Sequence, residues 1–168
     1  MSIMENEELN KNAIDIDLTP IKRTPIRINS SNDRIVYLNT TDIGIVSRLS
    51  ELYPKLEELQ QQFNSLEVKF DENNDITEDS FSEVGKAVKE IDEKMREYVD
   101  EIFDSNVSEV CAPDGNMFDP INGYYRFEYI IDALSNVYSE ELEANIKKRR
   151  ENIGRHTSKY TKSRKKKS

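Results

Sequence analysis

The 168-residue sequence contains a single cysteine, a single histidine and no tryptophan. One cysteine, Cys111, excludes a disulfide bond within the chain and suits a reducing compartment. No apolar run approaches the roughly 18 residues that a membrane span needs. The first twelve residues are polar and acidic, unlike a signal peptide. We therefore expect a cytoplasmic protein with no membrane partner.

The sequence also lacks the motifs that usually carry catalysis. It has no glycine-rich phosphate loop, no zinc-ligand spacing and no nucleophile elbow. His156 lies in a basic tail where we expect no pocket, and Cys111 has no histidine near it in sequence. A half-buried structural thiol is the favoured interpretation of Cys111. The sequence therefore predicts a protein that is not an enzyme, with no catalytic residue and no cofactor.

One acidic segment partly matches a calcium-binding loop. Asp71, Asn73, Asp75 and Asp79 occupy the first, third, fifth and ninth positions of an EF-hand pattern. The pattern also requires glycine at the sixth position and a bidentate glutamate at the twelfth, where this chain has Ile76 and Ser82. We therefore predict no metal site here, but a solvated acidic linker leading into a helix.

Charge is distributed unevenly along the chain. Residues 147–168 contain eleven Lys or Arg and one acid, a net charge of +10, whereas residues 1–146 carry −19. Such a basic tail is able to bind nucleic acid through phosphates, or to dock on an acidic protein face, or simply to remain solvated. The protein-docking and solvated interpretations are favoured, because the acidic body would repel a polyanion.

Apolar periodicity predicts three long helices. The central one covers 80–103, with Ser80 as a capping residue and apolar residues at alternating steps of three and four. Its stripe comprises Phe81, Val84, Val88, Ile91, Met95, Tyr98 and Ile102. A preceding helix is predicted from Thr40, Thr41 or Asp42 to about Leu66, with a kink or break near Tyr53 caused by Pro54. Its stripe comprises Val46, Leu49, Leu52, Leu56, Leu59, Phe63 and Leu66.

The last helix is predicted from near Gly123 to about Asn152, with Gly154 able to end it. Two short strands, 26–29 and 34–39, form a predicted hairpin before the helices. Before the hairpin, Ile14, Ile16 and Leu18 alternate with acidic residues, a pattern typical of a short strand or a docking segment. The sequence thus predicts a mainly α protein: a small bundle of three main helices with an N-terminal β-hairpin. Its predicted parts are a flexible arm at 1–19, a domain at 20–153 and a basic, disordered tail at 154–168.

The predicted parts contain a series of short segments in a fixed order. They are Ile26-Arg-Ile-Asn and Arg34-Ile-Val-Tyr in the hairpin, Arg48-Leu49 and Leu56-Glu-Glu-Leu59, Tyr98-Val-Asp-Glu-Ile-Phe103-Asp, a valine- and cysteine-containing loop before an Asp-Gly turn, an aromatic-rich helix, and Lys159-Tyr160 with Arg164. Over about residues 24–164, this order resembles the small tail assembly chaperones of tailed phages that infect Gram-positive bacteria.

The resemblance implies a non-enzymatic role in the host cytoplasm, in which the protein coats the helical tape-measure protein and assists tail-tube assembly. Its partners would be the tape-measure protein or another phage tail protein, with a homo-oligomer also considered. On this interpretation the expected contact residues are aromatic: Tyr53, Phe63, Tyr125 and Tyr129. Two alternatives remain open: a structural virion protein such as a head–tail connector or scaffold, and a nucleic-acid-binding accessory protein that uses the basic tail.

Overall fold

The computed structural model describes residues 3–16 and 23–166, with side chains described as far as residue 152. Its helices are α1 (Ile3–Lys11), α2 (Gly44–Asn64), α3 (Glu78–Phe103), α4 (Val107–Cys111) and α5 (Arg126–Lys166). Its strands are β1 (Thr24–Arg27), β2 (Ile35–Leu38), β3 (Pro120–Ile121) and β4 (Tyr124–Tyr125). The predicted class, mainly α with an N-terminal hairpin, is confirmed. Within the described part of the chain, no helix has the length and apolar character to cross a bilayer.

The described residues form two antiparallel hairpins, one before α2 and one between α4 and α5. β1 pairs with β2 so that Ile26 lies opposite Val36, close to the predicted strand positions. β3 pairs with β4 across Asn122 and Gly123, which both have the positive φ that a tight hairpin turn requires. The sequence predicted that α5 begins near Gly123, but this second hairpin occupies residues 120–125 and delays the helix to Arg126.

Helix α2 differs from its prediction in two respects. It continues past Pro54 as one helix. Of the two predicted outcomes near Tyr53, a kink or a break, the break does not occur. Val46 was placed on the buried stripe but is 60% exposed, and Ile45 is buried in its place. Asp42 supports the start of the helix, because its Oδ1 accepts a hydrogen bond from the Gly44 N–H at 2.8 Å.

Helix α3 begins slightly earlier than predicted. Thr77, not Ser80, is the capping residue, and its hydroxyl accepts a hydrogen bond from the Ser80 N–H. The Ser80 hydroxyl instead accepts from the Lys69 N–H at 2.7 Å, which ties the acidic linker to the helix. Phe81 is 65% exposed, so the predicted stripe is buried only in the second half of α3. The neighbouring helices therefore cover α3 from about Ile91 onward.

The ends of the chain also depart from the predicted boundaries. Residues 3–11 form α1, a helix with no buried residue, within the segment predicted as a flexible arm. Ile14 and Ile16 belong to no strand and are exposed, and Leu18 lies outside the described residues. α5 does not end at Gly154 but continues to Lys166, because Lys and Arg are good helix formers. Residues 143–152 are all exposed, so this stretch of α5 contributes nothing to the core.

The three long helices share one interior with the first hairpin, as predicted. Its buried members are Val36, Leu38, Ile45, Leu52, Leu56, Leu59, Ile91, Met95, Val99, Ile102, Phe103, Val107, Ala112, Met117, Phe118, Phe127, Ile130, Leu134 and Tyr138. The loop between α3 and α5 contributes Met117 and Phe118, so it is part of the core and not a surface excursion. Among the described side chains of α5, the last buried one is Tyr138, about three turns into that helix.

Candidate partner-binding surface

A concave surface lies between α2 and the start of α5. We call it the aromatic groove. It has a volume of about 360 Å³ and is lined by Tyr53, Leu56, Glu57, Gln60, Tyr124, Phe127, Glu128, Tyr129, Ile131 and Asp132. Leu56 and Phe127 are buried core residues at its floor, whereas the tyrosines stand at its rim. The groove is therefore an opening from the surface onto the hydrophobic core.

Three tyrosines give the groove its apolar surface. Tyr53 is 56% exposed, Tyr124 is 60% exposed and Tyr129 is 41% exposed. The rings of Tyr124 and Tyr129 meet edge to face, with centroids 5.8 Å apart, so each limits the movement of the other. Tyr53 lies on α2 and faces the same opening. Exposed aromatic rings with a polar hydroxyl are enriched at protein interfaces, because they lose little conformational entropy on binding.

The groove is acidic. Its lining includes the carboxylates of Glu57, Glu128 and Asp132, and no basic side chain among the described residues lines it. One of these carboxylates also has a structural role, because Glu128 Oε2 accepts a hydrogen bond from the Tyr125 N–H at 2.8 Å. That bond satisfies a free donor at the start of α5 and orients the helix turn that carries Tyr129. A partner with apolar and cationic side chains would match this surface.

Beneath the groove lies a packed aromatic cluster of Phe63, Phe118, Tyr125 and Phe127. Phe63 stacks on Phe118 with centroids 4.5 Å apart, and Phe118 meets Tyr125 and Phe127 edge to face at 5.3 and 5.1 Å. The Tyr125 hydroxyl donates to Asn64 Oδ1 at the end of α2. Phe118 and Phe127 are buried, and Phe63 and Tyr125 are partly buried against the core, so the cluster supports the fold.

Two of the four predicted contact residues therefore come together in the groove, and two do not line it. Tyr53 and Tyr129 lie at its rim, 76 positions apart in sequence. Phe63 and Tyr125 instead belong to the packed cluster, where they hold α2 against the start of α5. The role of these four residues in binding stays a prediction.

The sequence prediction did not include Tyr124 or the three carboxylates. Tyr124 belongs to the aromatic run at the start of α5, but only the β3–β4 turn places its ring at the rim. Glu57 and Asp132 resemble ordinary solvated residues of a helix surface. Their common position requires α2 to lie beside α5, which no local pattern shows.

Arginine side chains hold the core loop in place below the groove. Arg96 donates to the Ala112 carbonyl at 2.8 Å and to the Gly115 carbonyl at 3.0 Å, and pairs with Asp92 at 3.0 Å. Asp92 in turn accepts from the Met117 N–H at 2.7 Å. Arg34, which directly precedes β2, donates to the Val110 and Cys111 carbonyls. These bonds fix the loop that delivers Phe118 to the aromatic cluster.

The perturbed ionisable groups belong to the structural framework. Burial raises the pKa of the Cys111 thiol to about 11, which leaves it protonated and unreactive near neutral pH. Burial likewise raises the pKa of Tyr138. A hydrogen bond from Arg48 lowers the pKa of Asp42. Cys111 is half buried, in agreement with its interpretation as a structural thiol.

The acidic linker forms a turn around Asp71. Asp71 Oδ1 accepts hydrogen bonds from the N–H groups of Asn73 and Asp75, both at 2.9 Å, and Asn74 has a positive φ of 65°. In the described part of the chain, no group of three or more His, Cys, Asp or Glu side chains is arranged to hold a metal ion. The side chain of His156 lies outside the described residues.

Comparisons of the chain with models of protein families, with curated proteins and with solved structures found no match.

Proposed function

We propose that this protein is a tail assembly chaperone of a tailed phage, which binds a helical segment of the tape-measure protein and assists assembly of the tail tube. The observation that carries the proposal is the aromatic groove, in which Tyr53, Tyr124 and Tyr129 surround an opening onto the core. The groove is suited to binding apolar side chains.

The chemistry of the groove defines the partner that fits it. An amphipathic helix presents apolar side chains at intervals of three and four residues, and a hydrophobic groove binds such anchors. At about 360 Å³, the groove is large enough for one or two anchors and not for a whole helix. Glu57, Glu128 and Asp132 would pair with lysine or arginine beside those anchors. The proposed ligand is therefore an apolar helix stripe with basic flanks.

The arrangement of elements supports the more specific assignment. A tape-measure helix exposes apolar surface until the tail tube encloses it, so a chaperone needs both an apolar groove and a charged, soluble exterior. Residues 1–146 carry a net charge of −19, which supplies the second requirement. The hairpin, the long helices and the aromatic segment follow one another as in the phage chaperones that the sequence resembles.

Co-expression with the tape-measure protein encoded nearest to this gene tests the proposal. We expect a soluble complex, and we expect Tyr53→Ala and Tyr129→Ala each to weaken it by about tenfold or more, as interface aromatics commonly do. Tyr37→Ala is the matched control, because Tyr37 is 52% exposed but lies on β2, outside the groove. Failure of the wild-type chain to keep the tape-measure protein soluble would contradict the proposal.

A nucleic-acid-binding role is a second candidate, and exposed cations on α5 favour it. Lys147, Lys148, Arg149 and Arg150 are all exposed on the described part of that helix. Phosphate binding through these residues and the basic residues that follow would weaken steeply with salt. Salt-dependent DNA binding that disappears when residues 155–168 are deleted would support this candidate over the chaperone.

A further inference from the structure

A second groove lies on the hairpin side of α5, and Tyr129 lines both this groove and the aromatic groove. It has a volume of about 530 Å³, with residues 26–29 along one wall and α5 along the other. Ile130, Leu134 and Val137 supply the α5 wall, and Ile121 and Cys111 also contribute. We call it the strand-edge groove. Ile26 and Ile28 on the strand wall and Val137 on the α5 wall are half buried, whereas Ile130 and Leu134 are buried core residues. The apolar surface that the groove leaves partly uncovered therefore belongs mainly to the strand wall.

The wall formed by β1 has an open hydrogen-bonding edge. The Ile28 N–H donates to the Arg34 carbonyl at 2.8 Å, and Ile26 pairs with Val36. Because hydrogen-bonding direction alternates along an antiparallel strand, Ile26 and Ile28 bond toward β2, and Arg27 directs its N–H and C=O away from it. In the described part of the chain, β1 pairs with no strand other than β2. One side of β1 is therefore free to accept a third strand.

A segment with a complementary pattern precedes this edge in the same chain. Ile14 and Ile16 are 89% and 71% exposed and belong to no helix or strand. Asp15 lies between them and, among the described residues, neither Asp15 nor Arg27 forms an ion pair. Alternating β-branched and charged residues are typical of a strand with one buried face.

We propose that residues 14–16 dock in cis as a third, antiparallel strand on the open edge of β1. In the proposed register, Ile16 lies opposite Ile26, Asp15 opposite Arg27 and Ile14 opposite Ile28. The two isoleucines then enter the strand-edge groove beside Ile26 and Ile28, because residues opposite one another point to the same face. Asp15 and Arg27 form a cross-strand ion pair on the solvent face, joined by the two backbone bonds that Arg27 has free.

Chain length and pattern select this register. Nine residues, 17–25, connect Ile16 to Ile26, which is enough chain to reverse direction. A shift of one residue would turn both isoleucines to solvent. A shift of two residues would place Asp15 opposite Pro25 or Asn29, neither of which carries a positive charge. The charge match and the apolar match therefore coincide in a single alignment.

Paired cysteines test the register in the full-length chain. In a Cys111→Ser background, Ile16→Cys with Ile26→Cys places two thiols at directly opposed positions that are close enough for a disulfide. We expect mild oxidation to give a cross-linked monomer on a non-reducing gel. The matched control is Asp15→Cys with Ile26→Cys, whose side chains would lie on opposite faces. We expect it to yield at least about tenfold less cross-linked monomer.

Amide hydrogen exchange provides an independent measurement without altering the core. We expect the Arg27 amide of the wild-type chain to exchange at least about tenfold more slowly than in an Ile14→Asp/Ile16→Asp variant. The control Ile3→Asp/Leu9→Asp places the same charges on α1, where both residues are exposed, and should leave Arg27 unchanged. Equal exchange in wild type and variant, or equal cross-linking of the two cysteine pairs, would overturn the proposal. A cross-linked dimer without cross-linked monomer would also overturn it, by showing that a second copy supplies the strand.

Discussion

The aromatic groove and the aromatic cluster beneath it use the same kinds of residue for different purposes. Tyr53, Tyr124 and Tyr129 are between 41% and 60% exposed, whereas Phe118 is 2% exposed and stacked on Phe63. The two sets adjoin in space, and Tyr124 and Tyr125 are adjacent in sequence. An aromatic residue near α2 or α5 therefore either packs in the cluster or lines the open groove, although both sets contain the same residue types.

The difference has a physical consequence for mutations. A buried ring contributes both its transfer free energy and its packing contacts, and its removal leaves a cavity. An exposed ring already contacts water, so its removal changes folding little but removes area available to a partner. The comparison predicts large stability effects in the cluster and small ones in the groove.

Phe118→Ala should give the largest effect. Phe118 contacts three other rings and is almost fully buried, so we expect the free energy of unfolding to fall by about 3–5 kcal/mol. Chemical denaturation measured by circular dichroism checks this value. Phe118→Leu is the milder control, because it keeps much of the apolar volume. A loss below about 1 kcal/mol would show that the cluster does not support the fold.

Arg96→Met should give the next largest effect, because Arg96 fastens the loop that carries Phe118. The change leaves the Ala112 and Gly115 carbonyls and the Asp92 carboxylate without their arginine partner. We expect a loss of about 1–3 kcal/mol, measured in the same unfolding experiment. Arg96→Lys keeps the charge but not the planar group and should fall between wild type and Met. Identical stability of all three proteins would argue against this role.

Tyr53→Ala and Tyr129→Ala should lower stability by less than about 1 kcal/mol each, because their rings are substantially exposed. Phe63→Ala, in the cluster, is the contrasting variant and should cost about 2 kcal/mol, because Phe63 is partly buried and stacked on Phe118. Thermal unfolding of the three variants measures the contrast directly. Equal losses in all three would remove the distinction between groove and cluster.

Asp42→Asn should give the smallest effect and provides a baseline outside both aromatic sets. The hydrogen bond from Arg48, 2.7 Å from Asp42 Oδ2, lowers the pKa of Asp42 from its ordinary value of 3.8. The ionised carboxylate therefore stabilises the fold above that value, and this contribution is lost as pH falls through the lower pKa of the folded state. We expect the free energy of unfolding of the variant to lie about 0.5 kcal/mol or less below that of wild type at pH 7, and the difference to narrow below pH 3.8. A gap that widens in acid would contradict the sign.

Several structural features were predictable because they depend on local physics. The alternating steps of three and four in residues 80–103 predict α3, and its second half is buried as expected. Asn122-Gly123 predicts a turn, since both residues tolerate positive φ. The exposure of Val46 and Phe81 was not predictable, because periodicity identifies a face of a helix and not how far its neighbours cover it.

The candidate site divides in the same way. The order of residues alone indicated an acidic body, a basic end and an aromatic segment after Asn122, because the charge and type of each residue are properties of the sequence itself. Only the tertiary structure placed Tyr53 beside Tyr129 and gathered Glu57 and Asp132 around them. That arrangement depends on α2 packing against α3 and on α2 and α5 both burying residues in the shared core. No local pattern encodes contacts between residues so distant in the chain.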